Sequence, residues 1–152
     1  MTEDDDRAFE DLFRREHATM LRIAYLLLGS RAAAEEATQD AFAKVYERWR
    51  RVENHGGYLR TCVVNRCRNL RRRQRVERRH AASETVGYEE LEARELLDAL
   101  GSLPLKQRAA VVLRFFEGLS EAETADALGI PAGTVKSSVS RALAKLREVV
   151  EQ

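Results

Sequence analysis

The chain holds 152 residues, 44% hydrophobic and 34% charged, with a formal net charge of +1. That composition fits a soluble globular protein of one domain or two small ones. No apolar run approaches the roughly 20 residues of a membrane span. The acidic start "MTEDDDRAFEDLF" is unlike a secretory signal, which is basic and then apolar, so a cytoplasmic protein without membrane insertion is expected.

The small net charge hides a strong segregation. Residues 1–47 carry 6 basic and 11 acidic side chains, and residues 48–80 carry 12 arginines against Glu53 and Glu77. Residues 81–100 carry Arg94 against six acids, and the remainder is close to neutral. A basic stretch between two acidic ones suits either a phosphate-binding surface or a solvated arginine-rich face.

Periodicity predicts a first helix over about 6–28, with Phe9, Leu12, Phe13, Met20, Ile23, Ala24, Leu27 and Leu28 on its apolar stripe. Gly29 ends it and Ser30 caps the next. The second helix, about 31–51, turns Ala37, Ala41, Phe42, Val45 and Trp49 inward. "VENHGG", Val52 to Gly57, is a break. A third helix over about 58–73 has Leu59, Val63, Val64, Cys67 and Leu70 inside. Cys62 and Cys67 stand five apart, about 140° around a helix axis, too far round to bridge each other, and read as small reduced hydrophobes. His17, His55 and His80 are not at ligand spacing, so no metal or other cofactor is expected.

"RRRQRVERRHAASETVGYEE", Arg71 to Glu90, loses the apolar period and reads as a basic helix end running into a flexible linker. Order is predicted to return near Glu89 and hold to Gly101, and Pro104 suits the first turn of a helix reaching Glu117, with Ala109, Val112, Leu113 and Phe116 inward. In "GLSEAETADALG", Gly118 to Gly129, Ser120 and Glu123 make an S-x-x-E capping box, and Ala122, Ala125 and Leu128 supply the inner side. A tight turn at Gly129 leads to the last helix, so the pair reads as a helix-turn-helix, whose second helix enters a DNA major groove. There Val135, Val139, Ala142 and Leu146 pack inward and Lys136, Ser137, Ser140, Arg141 and Lys145 face out. Arginine and lysine donate to guanine edges or phosphates, serine permits close approach, and Thr134 near the helix start can hold a phosphate with free backbone amides.

"LPLKQRAAVVLRFFEGLSEAETADALGIPAGTVKSSVSRALAKLR", Leu103 to Arg147, resembles region four of bacterial extracytoplasmic-function (ECF) RNA polymerase sigma factors of actinobacterial type. "AEEATQDAFAKVYERW" followed by "YLRTCVVNRCRNLRRR" resembles region two of the same family. The resemblance implies an all-α chain of two small helical domains joined by a flexible linker: region two over 1–75, the linker over 76–95, and the region four helix-turn-helix over 96–152. It also implies an alternative sigma factor that binds core RNA polymerase through the β′ clamp helices and the β flap, and directs transcription initiation at promoter DNA. An anti-sigma factor between the domains is a partner the family allows.

Position by position, the resemblance assigns Glu36, Gln39, Asp40 and Lys44 to polymerase binding, although a merely solvated face has the same composition. It assigns Asn54, Arg60, Asn65, Arg66, Asn69 and Arg72 to the minus-ten element, where flipping a base out is offset by stacking and edge hydrogen bonds. Arg68, Arg71 and Arg73 would hold the strand backbone, and Trp49 and Tyr58 read either as core or as stacking platforms. The minus-thirty-five element falls to Thr134, Lys136, Ser137, Ser140, Arg141 and Lys145. The sequence departs from the family at Ser138, where arginine is common, and at "TCVVN". The linker reads as a nucleic-acid mimic or a spacer. A stand-alone helix-turn-helix DNA-binding transcriptional regulator is the alternative; it leaves the arginine- and asparagine-bearing third helix without a use. An enzyme is not expected, since the acids are spread along helix faces and the histidines stand alone.

Overall fold

A computed structural model describes residues 1–77 and 88–151. Seven α-helices follow one another among these residues, with no strand between them. They are α1 (Glu3–Leu28), α2 (Arg31–Glu47), α3 (His55–Glu77), α4 (Tyr88–Gly101), α5 (Leu105–Val111), α6 (Glu121–Leu128) and α7 (Ala132–Glu151). None is long and apolar enough to cross a membrane. Of the linker expected over 76–95, residues 78–87 lie outside the described residues.

α1–α3 pack on one another as one helical unit and α5–α7 as a second, and the two meet where α3 packs on α6 and α1 on α4. α1 begins earlier than its apolar stripe requires, because Thr2 caps it: its hydroxyl accepts from the Asp5 N–H and the Asp5 carboxylate accepts from the Thr2 N–H. The acids of that first turn also suit the positive end of the helix dipole. Ser30 caps α2 through the Ala33 N–H, as the sequence predicts. α2 stops at Glu47, and a 3₁₀ turn over Trp49–Arg51 completes the predicted span and keeps Trp49 buried.

The break before α3 is shorter than expected. α3 starts at His55, because Asn54 caps it with its side-chain oxygen on the Gly57 N–H at 3.0 Å. A Cβ at position 57 would lie 2.7 Å from the Asn54 amide nitrogen, so a side chain there would push the capping amide aside. The His55 ring stacks on Trp49 at 3.5 Å and bonds the Trp49 carbonyl at 2.9 Å, tying the loop to the core.

Three inward predictions fail for local reasons. Phe13 is exposed because it lies at the rim of the α1–α2 groove, tilted against His17 and Phe42. Phe116 is exposed because the helix after α5 widens into a π turn over Val112–Phe116, which buries Val112 and Leu113 and rotates the last residues off the inner stripe. Ala122 is exposed because eight-residue α6 turns Thr124, Ala125, Ala127 and Leu128 inward instead. Pro104 stands just ahead of α5, as its N-cap residue.

Along α3 the apolar side, Leu59, Val63, Val64, Cys67 and Leu70, is fully inside, and both cysteines are free and buried. Burial pushes both thiols up, Cys67 from the ordinary 9.0 to about 12. A native-state thiol assay at pH 8 should therefore leave Cys67 unmodified and Cys62 slow, with both reacting at once in urea. Since the unfolded chain gives up these protons first, stability should be level below pH about 9 and fall as pH rises from there through 12. Prompt native labelling of Cys67 would contradict this packing.

Candidate nucleic-acid and polymerase interfaces

The helix-turn-helix is closed at each joint by backbone chemistry. Ser120 accepts from the Glu123 N–H at 3.0 Å while the Glu123 carboxylate accepts from the Ser120 N–H at 3.1 Å. Those bonds, with a smaller contribution from Arg60, hold the Glu123 carboxyl below its ordinary 4.5. At the far end of α6 the Ile130 N–H returns to the Ala125 carbonyl and the Gly129 N–H to that of Asp126. This is a Schellman turn, and it needs the left-handed φ of 66° that Gly129 supplies. Arg114 donates to the Leu119 carbonyl, fixing the approach to α6.

That turn sets α7 with Val135 and Ala142 buried against α5 and α6, and Val139 and Leu146 partly so. Lys136, Ser137, Ser140, Arg141 and Lys145 are all exposed on the opposite side, and Thr134 is half-buried at its start. Ser137 donates to the Thr134 carbonyl at 3.0 Å. Among the described residues Lys136, Arg141 and Lys145 have no acidic partner. Ser138 is buried at 6% exposure, so the position where arginine is common in the family faces inward here.

On α3 the residues expected to act together are divided. Asn65, Asn69 and Arg72 fall at i, i+4 and i+7 and are exposed, with Arg68 beside them, so they form one polar stripe. Arg66 turns toward α2, 2.7 Å from Asp40 and 3.4 Å from Glu36, and Arg73 reaches Glu36 at 3.7 Å. Arg60 lies 3.7 Å from Glu123, and Asn54 is engaged as the α3 cap. Glu36, Gln39, Asp40 and Lys44 are all exposed along α2. Trp49 is core, stacked on His55 rather than presented to solvent. The candidate polymerase and DNA sets are thus joined by ion pairs rather than separate.

Sequence reasoning passes over Arg22, and it assigns Arg71 to the strand backbone, whereas here both bridge the N-terminal helices to the C-terminal ones. Arg22 of α1 clasps Glu117 at 2.9 and 3.0 Å. Arg71 reaches the Leu27 and Leu103 carbonyls at 3.5 and 3.4 Å. Arg108 is buried in α5. Only Arg108 carries a readable sign, since it shares the stripe of Leu105, Ala109 and Val112 at helical spacing. Arg22 and Glu117 stand 95 positions apart, beyond any periodic pattern.

Residues 12–77 match the family model of sigma-70 region 2, and residues 93–146 match that of sigma-70, region 4. The RNA polymerase sigma-E factor of Streptomyces coelicolor is 36% identical over 149 residues, covering 92% of this chain and 84% of that protein. The ECF RNA polymerase sigma factor SigM of Mycobacterium tuberculosis is 33% identical over 154 residues, covering 96% and 79%. Among solved structures, the sigma factor RpoE from Bartonella quintana, crystallised with the anti-sigma factor NepR, is similar at a TM-score of 0.77 and 26% identity. That match covers 95% of this chain and 98% of RpoE. CnrH, solved with the cytosolic domain of CnrY, shares the fold at a TM-score of 0.80 and 23% identity, over 96% and 89%.

The capping box gives a direct check on how this unit is built. Ser120→Ala should lower stability by about 1 kcal/mol in urea denaturation with an unchanged slope, whereas Glu123→Gln, which preserves the S-x-x-E/Q pattern, should cost distinctly less. Equal losses would mean the cap is not what holds the start of α6.

Proposed function

The chain belongs to the sigma-70 family of RNA polymerase sigma factors, of the extracytoplasmic-function type, and we infer that it directs core RNA polymerase to a two-part promoter through two faces of unlike chemistry. It binds core polymerase and promoter DNA and starts transcription; the polymerase performs the catalysis, and the chain acts by recognition, in the cytoplasm where polymerase works. Region two is taken as residues 1–75, region four as 96–152, and 76–95 as the segment joining them.

The observation that carries this reading is the outer face of α7. Lys136, Arg141 and Lys145 are exposed and without acidic partners among the described residues, on the second helix of a tightly closed helix-turn-helix. Cations left unneutralised on a rigid helix are available to phosphates and guanine edges. With Thr134, Ser137 and Ser140 they form the proposed minus-thirty-five face. The α3 stripe of Asn65, Asn69 and Arg72 suits unstacked bases of the minus-ten element, because amides both donate and accept at base edges. Asn54 would act there by setting the start of α3.

The α2 carboxylates Glu36 and Asp40, flanked by Gln39 and Lys44, fit an arginine-bearing surface such as the β′ clamp helices, with the β flap meeting region four. Docking there would compete with Arg66 and Arg73 for Glu36 and Asp40 and turn these cations toward the promoter strand. An anti-sigma factor is a natural antagonist, as the complex of the similar RpoE with NepR suggests. A stand-alone helix-turn-helix regulator accounts for α6 and α7 but leaves the α3 stripe unused.

Mixing the chain with core bacterial polymerase and mapping transcript starts on genomic DNA tests the reading: co-elution and starts that share two spaced upstream boxes are expected. Arg141→Ala should cost about 1–3 kcal/mol of discrimination at the upstream box. Asn69→Ala should impair strand opening, read by permanganate footprinting, while closed-complex affinity persists. Equal losses on all DNA sequences for both variants would overturn the assignment of the two faces.

A further inference from the structure

A cavity of about 540 Å³ opens where the α1–α2 turn meets the end of α4 and the middle of α5. That volume lies within the range that holds a small molecule, about 300–1,000 Å³. Its wall carries two guanidinium groups, Arg94 and Arg108, one carboxylate, Asp98, and one hydroxyl, Ser102. Arg108 is 4% exposed and forms the inner wall, while Arg94 and Asp98 stand exposed at the mouth. None of these residues belongs to either proposed DNA face or to the α2 carboxylate face.

Arg94 and Asp98 stand at i, i+4 on α4, the spacing at which opposite charges ordinarily pair. Here they do not: neither side chain has an ion-pair partner among the described residues. Both charges are thus open to a ligand, held one helical turn apart. A guanidinium fork matches phosphate oxygens, so the Arg94 and Arg108 side of the cavity draws a phosphate. Asp98 repels a bare anion, so a ligand that fits must also bring N–H donors to that carboxylate. Ser102 donates to the Ala99 carbonyl at 2.6 Å, which leaves its oxygen lone pairs to accept. Between the charged groups, Leu97 with Gly29 and Gly101 makes a floor on which a flat ring can lie.

We propose that this cavity binds a guanine nucleotide, with the phosphate on Arg94 and Arg108, the ring over Leu97 and the two glycines, and the guanine edge on Asp98. Guanine carries N1–H and its amino N–H side by side on one edge, and the two oxygens of a carboxylate accept both together. Adenine carries a donor beside an acceptor there, so one Asp98 oxygen would face a lone pair. A polar group left facing the wrong partner in a partly desolvated site is costly, and the cavity therefore prefers guanine. The site is independent of promoter recognition and stands or falls on its own.

Equilibrium dialysis of the full chain against radiolabelled guanosine 5′-monophosphate tests this, with adenosine 5′-monophosphate and unphosphorylated guanosine as the comparison probes. One saturable site for the guanine nucleotide is expected. The adenine nucleotide should bind about tenfold more weakly, and guanosine weaker by about the same factor for want of the charge-assisted bonds to phosphate. Asp98→Asn, whose amide presents a donor beside an acceptor, should bring the two nucleotides to nearly equal affinity. Arg94→Ala should weaken both on the order of tenfold and keep the guanine preference. Gly101→Leu fills the cavity from within: its Cβ meets only Arg108 Nη1, at an ordinary 3.9 Å, so helical circular dichroism should hold while binding is lost. No saturable binding to the wild type, or equal affinity for both nucleotides, would overturn the site. So would a guanine preference that survives Asp98→Asn. Binding retained by a folded Gly101→Leu variant would place the nucleotide on the arginine-rich surface instead and sink the proposal equally. Should Gly101→Leu lose helicity, the exposed Asp98→Asn and Arg94→Ala variants decide the matter by themselves.

Discussion

Everything in this molecule depends on how α3 divides its circumference. Its apolar side, from Leu59 to Leu70, fills the groove between α1 and α2. Burial of that stripe dominates the energetics of the unit, because each buried aliphatic side chain contributes about 1.5–3 kcal/mol, more than any single surface ion pair. With the rotation of α3 set by that burial, the rest follows from helical geometry. Arg66 falls toward the α2 carboxylates, Arg60 toward α6, and Asn65, Asn69 and Arg72 outward. A register shift of one residue, about 100°, would exchange these roles.

The start of α3 is held as firmly as its flank. Asn54 caps it, and His55 lies flat on buried Trp49, so the chain enters the helix at one defined place. The helix-turn-helix is determined in the same way at its own joints, by the Ser120–Glu123 box before α6 and the left-handed Gly129 after it. In both units a short side-chain-to-backbone bond sets where a helix begins, and the apolar stripe decides which face it presents. The polar faces are what remains, and their chemistry is read as function.

Arginine content alone is therefore a poor guide to DNA contact in this chain. Of the arginines on α3, Arg66 and Arg73 are partnered by Glu36 and Asp40, Arg60 by Glu123, and Arg71 by two backbone carbonyls, whereas Arg68 and Arg72 are exposed. On α7 the cations are fewer and their acidic partners are absent among the described residues. The partnered arginines of α3 are available to nucleic acid only in exchange for another partner; the cations of α7 are available as they stand.

The sequence by itself determined the seven helices, most of their ends, the buried stripes of α1, α2, α3 and α7, the capping box and the outward face of α7. Each of these is a local property: a 3.6-residue period, a hydroxyl three residues before a carboxylate, a glycine where φ must be positive. The stripes of Phe13, Phe116 and Ala122 misled because a groove rim, a π turn and the rotation of a short helix lie below the resolution of periodicity. Only the tertiary structure decided which charges meet. The pairing of Arg66 with Asp40, of Arg22 with Glu117 and of Arg60 with Glu123 joins positions 26 to 95 residues apart. No pattern along a chain records such distances, because they depend on how rigid helices stack once their apolar faces have been buried.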